Sequence, residues 1–409
     1  MHPIWSGRLR TKEYLRSDFI AGLTTAILLI PQAMAYATLA GLPPVVGLYG
    51  ATLPLLVYAA LGSSRVMAVG PVALISLMTA TALAPFVEQG ASTAELIGLA
   101  GMLALLVGAI QLSLGLLKVD FITDLLDKPV LTGFTAAAAL LIAFSQFPAL
   151  VGAEKLGEFS QWNWTTLAIG GSALGLLWLL KRIHRGIPAA LVVIILATLA
   201  VIFFGLDTFG VKVVGEVPPG LPSLSLPPLE WGVLLLLLPA ALAIALVSYL
   251  ESFAVARALA TGPGEKVSAS REWIGVGAAN LTSALVGSYP LAGGFSRSAV
   301  NDQAGAKSRV AGAITAVIVM GSLAFLTPLF TSLPRAALAA IIVVAVSGLF
   351  HVKDWKTLKK EGPMPFGIAI LTFGATLIFN IEIGLLVGVL ATLLVRRLQK
   401  RGKTVESTL

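Results

Sequence analysis

Cysteine is absent from the 409 residues, which removes disulfides, thiolate metal ligands and cysteine nucleophiles together. Histidine is almost as scarce. His2, His184 and His351 lie outside or at the ends of the apolar stretches, so neither a metal centre nor a metal cofactor is expected. Charge is thin as well: Asp, Glu, Lys and Arg make up 12% of the chain against 57% hydrophobic residues, with a mean hydropathy of +0.92. That balance excludes an ordinary soluble globular domain. The formal charge of +8 would point to nucleic acid in a soluble protein, but membrane topology accounts for it here, and no nucleic-acid partner is expected.

Long uncharged runs are abundant: residues 19–64, 66–87, 96–117, 129–153, 159–180, 186–206, 232–250, 273–296, 310–334, 336–352, 362–381 and 383–395. About 20 apolar residues cross the hydrocarbon core as a helix. Barrel strands would show short alternating segments, which these runs lack. The first run continues far beyond the length of a signal-peptide core and has no clear small-residue cleavage site. The expected fold class is an all-α polytopic membrane protein with membrane lipid as its surroundings.

The positive-inside rule places the basic lead-in with Arg8, Arg10, Lys12 and Arg16 in the cytoplasm. Fourteen segments counted from there put most other basic clusters on the same side: Lys181, Arg182 and Arg185; Arg257, Lys266 and Arg271; Lys353, Lys356, Lys359 and Lys360; and residues 396–403. Lys155, Lys212, Arg297 and Arg335 fall elsewhere. Both termini are therefore expected in the cytoplasm, with no soluble domain expected after the basic tail.

Proline and glycine interrupt the runs at two telling places. Pro31, Gly41, Pro43 and Pro44 predict that segment one breaks near Gly41. In VGSYPLAGGFSRSAVND, residues 286–302, Pro290, Gly293 and Gly294 predict a helix over 273–287, an extended piece over 289–294 and a new half-helix from Ser296. Residues 66–70 also read as extended, with Pro71 in the first turn of the next helix. MAVGPVALIS (67–76) aligns without gaps under LAGGFSRSAV (291–300), and MAYATLAG (34–41) pairs with VARALATG (255–262) at nearly the same offset. Two related halves of seven segments would run oppositely through the membrane, an inverted repeat whose paired interrupted segments point to a transport site. The proline-rich connection before Trp231 separates the halves on the outside.

Half-helices three and ten, starting from Pro71 and Ser296, would then meet near the midplane. Free N–H groups and the positive dipole ends attract an anion there. Arg297 adds a positive field, or else serves as a structural cation on carbonyl ends or Asp302, or snorkels to the surface. Glu251 ends an uncharged run. A carboxylate in the membrane costs about 2.5–3.5 kcal/mol, so it is read as a proton-coupling group facing a cavity; the alternative is a fixed pair with Arg257 or Arg297. Gln32 and Tyr36 lie four apart on one helical face just after Pro31. Asp120, Asp124, Asp127 and Lys128 read as a solvated turn.

The stretch PQAMAYATLAGLPPVVGLYGATLPLLVYAALGSSRVMAVGPVALISLM (31–78) resembles the signature region of the SulP anion transporters, solute carrier family 26, and GGFSRSAVNDQAGAKSRVAG (293–312) resembles their segment ten. The resemblance implies a 7+7 inverted repeat. It implies a core domain over residues 18–118 and 232–332 and a gate domain over 119–206 and 333–397, with a cytosolic segment at 1–17, an extracellular linker at 207–231 and a basic tail at 398–409. It further implies a substrate site of Gln32, Tyr36, Gly70, Pro71, Val72, Phe295, Ser296, Arg297 and Ser298, with Glu251 matching the acidic residue of cation-coupled symporters. Chloride exchangers of the family often carry a neutral residue there.

The family usually ends in a cytosolic STAS domain. This chain stops at Leu409, as a naturally short member or a trimmed membrane portion. The reading is a proton-coupled symporter of a small inorganic or organic anion (dicarboxylate, sulfate or bicarbonate) in a bacterial inner membrane, with sodium as the alternative coupling ion and both homodimer and monomer open. Its rivals are an uncoupled exchanger or channel-like conductor, and a nucleobase permease of the same fold type, which would use acidic groups on segments eight and ten. A membrane-embedded enzyme is disfavoured, because no Ser/His pair or metal cluster lies within the spans.

Overall fold

The computed structural model describes residues 12–118, 127–153, 162–183, 189–215, 218–260, 267–379 and 381–406. Arg8, Arg10, Asp120, Asp124, Lys155, Arg185 and Lys266 of the sequence reading lie outside these. Helix α1 (Lys12–Leu39) runs through Pro31 and stops where Gly41 takes φ +76°. The left-handed glycine lets the Leu42 N–H close back on the Ala37 carbonyl at 2.9 Å, a turn that a Cβ would strain. Pro44 then opens α2 (Pro44–Gly50), where its missing N–H does no harm. α3 (Leu53–Leu61) follows and ends at Gly62. The expected break near Gly41 is thus present, for the reason that proline and glycine imposed on it.

The chain continues through strand β1 (Val69–Gly70), α4 (Ala73–Glu88) and α5 (Thr93–Leu116). A capping box in which Ser92 and Glu95 satisfy each other's N–H groups starts α5. Next come α6 (Lys128–Val151), α7 (Trp164–Ile183), α8 (Ala189–Phe204), α9 (Trp231–Ala258), α10 (Ala269–Leu285), strand β2 (Ala292–Gly293) and α11 (Phe295–Gln303). The last elements are α12 (Val310–Phe325), α13 (Arg335–Val346), α14 (Val352–Glu361), α15 (Pro363–Ile378) and α16 (Ile381–Glu406). Among the described residues, five stretches are long and apolar enough to cross a membrane and seven shorter apolar helices of 10–17 residues accompany them. Two expected starts move slightly. α4 begins at Ala73 behind an extended Val72, so Pro71 precedes the helix instead of sitting in its first turn, and α11 begins at Phe295, one residue before Ser296.

Two compact units divide the chain. The first comprises Met1–Lys118 and Gln146–Val344. It takes in α7 and α8, which the resemblance assigned to the gate, and α8 packs against α1 within it. Its tightest seam joins α5 to α10. Gly108 lies against the backbone of Gly277 and Leu281, and Gly115 against Trp273 and Ile274, with a Cβ at either position under 3 Å from its neighbours. Spaced seven apart, these glycines share one face of α5 and allow the backbone approach that drives helix association where lipid offers no hydrophobic contrast. The proline-rich connection is ordered on the same unit: Gly220 donates to the Leu323 carbonyl at 3.1 Å and Ser225 to that of Leu285 at 2.9 Å.

The second unit comprises Val119–Ser145 and Ala345–Leu409. Small residues pack it too, with Gly384 and Gly388 of α16 against Thr376 and Thr372 of α15, a G-x-x-x-G seam. Trp355 of the short basic helix α14 meets Phe366 and Phe373 edge-on at centroid distances of 6.1 and 5.8 Å.

Gly108→Val would thrust a side chain into the backbone of α10 and should lower stability by about 1–3 kcal/mol, as overpacking does. Thermal unfolding in detergent reads this as a reduced midpoint. Gly171→Ala, where a Cβ meets nothing within 4 Å, should leave the midpoint unchanged.

Candidate functional site

Both interruptions foreseen in the sequence come together. β1 and β2 pair antiparallel, Val69 opposite Gly293 and Gly70 opposite Ala292, and the Gly294 N–H extends the pairing to the Ala68 carbonyl at 3.2 Å. Val69 and Gly293 are also equivalent in the alignment of 67–76 with 291–300. Residues that are counterparts in that alignment thus lie opposite each other across the antiparallel pair.

Each strand feeds directly into a helix, α4 after β1 and α11 after β2. Val72 and Gly294, the N-cap residues, provide no side-chain cap, so the first-turn N–H groups of both helices have no intrahelical partner. Gly294 is needed here because a Cβ would stand 2.7 Å from the Arg297 guanidinium carbon.

Arg297 is 1% exposed, among the largest fully buried side chains. Its Nε donates to the Ala68 carbonyl at 2.8 Å, one terminal nitrogen to that of Pro71, and the other to that of Ala292 at 3.1 Å. It therefore caps carbonyls from both strand segments, the structural alternative that the sequence left open. Asp302 pairs instead with Arg65 at 2.8 Å. The Ser298 hydroxyl accepts the Ala68 N–H at 3.0 Å and is fully buried. Arg297 and Ser298 thus build the frame, while Phe295, 56% exposed, and Ser296 stand at its open side.

Gly70, Pro71 and Val72 are buried at the start of α4. Gln32 and Tyr36 of α1 are each 6% exposed. Among the described residues, neither the Gln32 amide nor the Tyr36 hydroxyl has a hydrogen bond, and the polar atoms of both keep some accessible surface. Glu251 of α9 has a buried Oε2 without a partner and forms no ion pair with Arg257 or Arg297. Tyr36, Glu251 and Tyr289 all lie within the field of Arg297. No group of three or more metal-ligating side chains occurs among the described residues.

Several residues of this region escaped the sequence reading. Gln111 of α5 donates to the Ala245 carbonyl and the Ser248 hydroxyl, and Asn280 of α10 donates to Gln111 and brackets Leu291 through both its amide atoms. Tyr289 and Ser76 join their hydroxyls at 3.1 Å. The signal available was an amide side chain alone in an apolar run, since such groups bond between helices in a membrane.

Known proteins are similar to this chain in sequence and fold. The sulfate permease family matches over residues 15–372. Sulfate transporter 4.1, chloroplastic, of Arabidopsis thaliana is 38% identical over 407 residues, covering 94% of this chain and 58% of the relative, so the chain spans under two thirds of that protein's length. The murine solute carrier 26 family member A9 anion transporter, in its inward-facing state, superposes with a TM-score of 0.89 at 26% identity, over 97% of this chain and 70% of that one. The transmembrane domain of a cyanobacterium bicarbonate transporter, BicA, shares the fold with a TM-score of 0.79 at 21% identity, over 93% and 98%. The relatives are named transporters, not enzymes. With the match running through both interrupted segments and 38% identity over nearly its whole length, the chain belongs to the sulfate permease family.

Proposed function

We propose that this chain is the membrane portion of a secondary active transporter that carries a small anion together with a proton. The observation that carries the reading is the junction of two half-helix N-termini, open at Phe295 and Ser296 and flanked by Glu251, whose Oε2 is buried without a partner. Backbone N–H groups of α4 and α11 would receive the anion. Gln32 and Tyr36 would complete its hydrogen bonding, and Gly70, Pro71 and Val72 its wall. Arg297 and Ser298 hold that geometry, and the Arg297 charge offsets that of the substrate at short range in a medium of low polarity.

Glu251 supplies the coupling. A carboxyl with a buried, unpartnered oxygen in a membrane is stable only when protonated or facing a cavity. A second negative charge arriving within the same field favours uptake of a proton by Glu251, so anion and proton load together. Release to the cytoplasm would follow movement of a core domain, residues 18–118 and 232–332, against a gate domain, residues 119–206 and 333–397. Fourteen spans in two inverted sets of seven, with both termini in the cytoplasm of a bacterial inner membrane, complete this reading.

The names of the relatives put sulfate first among substrates, and dicarboxylate and bicarbonate remain in the same class of small oxyanions. An uncoupled exchanger would have no use for the free Glu251 carboxyl. A nucleobase permease would place an acid on the second half-helix, where Arg297 stands.

The deciding experiment is uptake into proteoliposomes with a lumenal pH dye, offering sulfate, bicarbonate, chloride, nitrate, fumarate and succinate with and without a pH gradient. Lumenal acidification driven by one anion is expected; anion movement without proton movement would make the protein an exchanger or conductor. Glu251→Gln should abolish accumulation driven by an acidic exterior while anion binding persists, and an unaltered pH response would remove Glu251 from coupling. Arg297→Lys keeps the charge but loses the fork that reaches three carbonyls. Uptake should fall more than tenfold, whereas retained uptake would show that charge alone suffices. Tyr36→Phe should raise the apparent KM by roughly three- to tenfold, the loss of one hydrogen bond, with Vmax little changed.

A further inference from the structure

The extended piece that leads into α11 is held by more than its pairing with β1. Asn280 of α10 accepts the Leu291 N–H at 2.7 Å and donates to the Leu291 carbonyl at 3.2 Å. Two residues further on, the Gly293 N–H donates to the Ser252 hydroxyl at 2.8 Å. That hydroxyl in turn donates its only hydrogen to the Ser248 carbonyl at 2.6 Å, so its lone pairs are left directed at Gly293. Gly293 and Ser252 approach closely enough that a Cβ on the glycine would stand 3.2 Å from the Ser252 Cα. Gly293 is the residue before the N-cap of α11, and that N-cap, Gly294, lies against Arg297.

We propose that Ser252 is a positioning residue for the anion site, its hydroxyl setting the place of the Gly293 peptide and through it the aim of the open N–H groups at the start of α11. The inference rests on the reading of that helix start as the anion site. Without the hydroxyl, the Gly293 N–H is a buried donor with no acceptor, a state that native structures avoid. The peptide relieves it by rotating or shifting, and Gly294 and the first turn of α11 shift with it. Helix starts bind anions through the direction of several N–H groups at once, so a small displacement weakens all of them together. Ser252 does not touch the anion in this scheme. Its loss therefore weakens binding and leaves the rate of the loaded carrier nearly intact. Glu251, the neighbouring residue, remains in place.

The test is initial-rate uptake into proteoliposomes of whichever of sulfate, bicarbonate, chloride, nitrate, fumarate or succinate the unmodified protein carries. Ser252→Ala should raise KM about tenfold with Vmax within twofold of the unmodified protein, and Ser252→Thr, which restores a hydroxyl, should bring KM back to within twofold. Ser322→Ala serves as the control, since that buried hydroxyl on α12 has no hydrogen-bond partner, and it should match the unmodified protein. An unchanged KM in Ser252→Ala, or a loss of Vmax that Ser252→Thr does not rescue, would overturn the positioning role and leave the anion site standing. If Ser252→Ala does not yield folded protein, Ser252→Cys keeps the volume with a weak acceptor and should raise KM three- to tenfold; an unchanged KM there overturns the inference equally. Uptake of none of these six anions by the unmodified protein would instead defeat the anion-site reading, and this inference with it.

Discussion

One guanidinium group sits where the two interrupted segments cross, and its bonds to the carbonyls of Ala68, Pro71 and Ala292 decide much of what surrounds it. Extended backbone inside a membrane protein leaves polar groups without the internal partners that a helix supplies, and no water is at hand to replace them. β1 and β2 satisfy some of these groups by pairing with each other. Arg297 bonds carbonyls of both strand segments in addition, those of Ala68, Pro71 and Ala292. Its cost of burial is offset because every nitrogen has an acceptor, the condition under which a buried charge is tolerated. Gly294 is glycine because the guanidinium lies over it.

Around that crossing, the helices supply a frame of polar bonds in an apolar interior. The amides of Gln111 and Asn280, with Ser248 and Ser252, tie α5, α9 and α10 to the strand that precedes α11. A buried polar network that is satisfied throughout specifies one arrangement, because any slip leaves a donor or acceptor without a partner. The glycine faces of α5 add close backbone packing to the same specificity. Buried polar atoms without a partner occur beside the polar network as well, among them the Glu251 Oε2 on α9 and the Asn301 Oδ1 on α11.

Further from the crossing, ionic and hydroxyl contacts fasten helix ends. Glu272 is fully buried and accepts from the Tyr58 hydroxyl, the Ser63 hydroxyl and the N–H groups of Ser63 and Ser64. Asp18, 1% exposed, accepts from the N–H groups of Lys307 and Ser308 and from the Ser308 hydroxyl. Each carboxylate binds free backbone donors outside regular helix, so each pins a connection that would otherwise be loose.

Local chemistry made a good deal legible from the chain alone. Hydropathy placed it in a membrane as a helical protein, Gly41 with Pro43 and Pro44 ended α1, and Pro290, Gly293 and Gly294 interrupted a run too short for two helices. Those features act over a few residues, through missing N–H groups and backbone freedom, and so can be read without partners. The role of Arg297 was not legible, because a cation beside two serines looks the same whether it faces a solute or three carbonyls some 230 residues away and nearby. Ser252, Asn280 and Gln111 matter through acceptors on other helices, which periodicity cannot name. What the sequence by itself determined was where the backbone must break and which polar groups must find partners. Tertiary structure alone decided which of them found partners and which stayed free, since that choice depends on distances between segments remote in the chain.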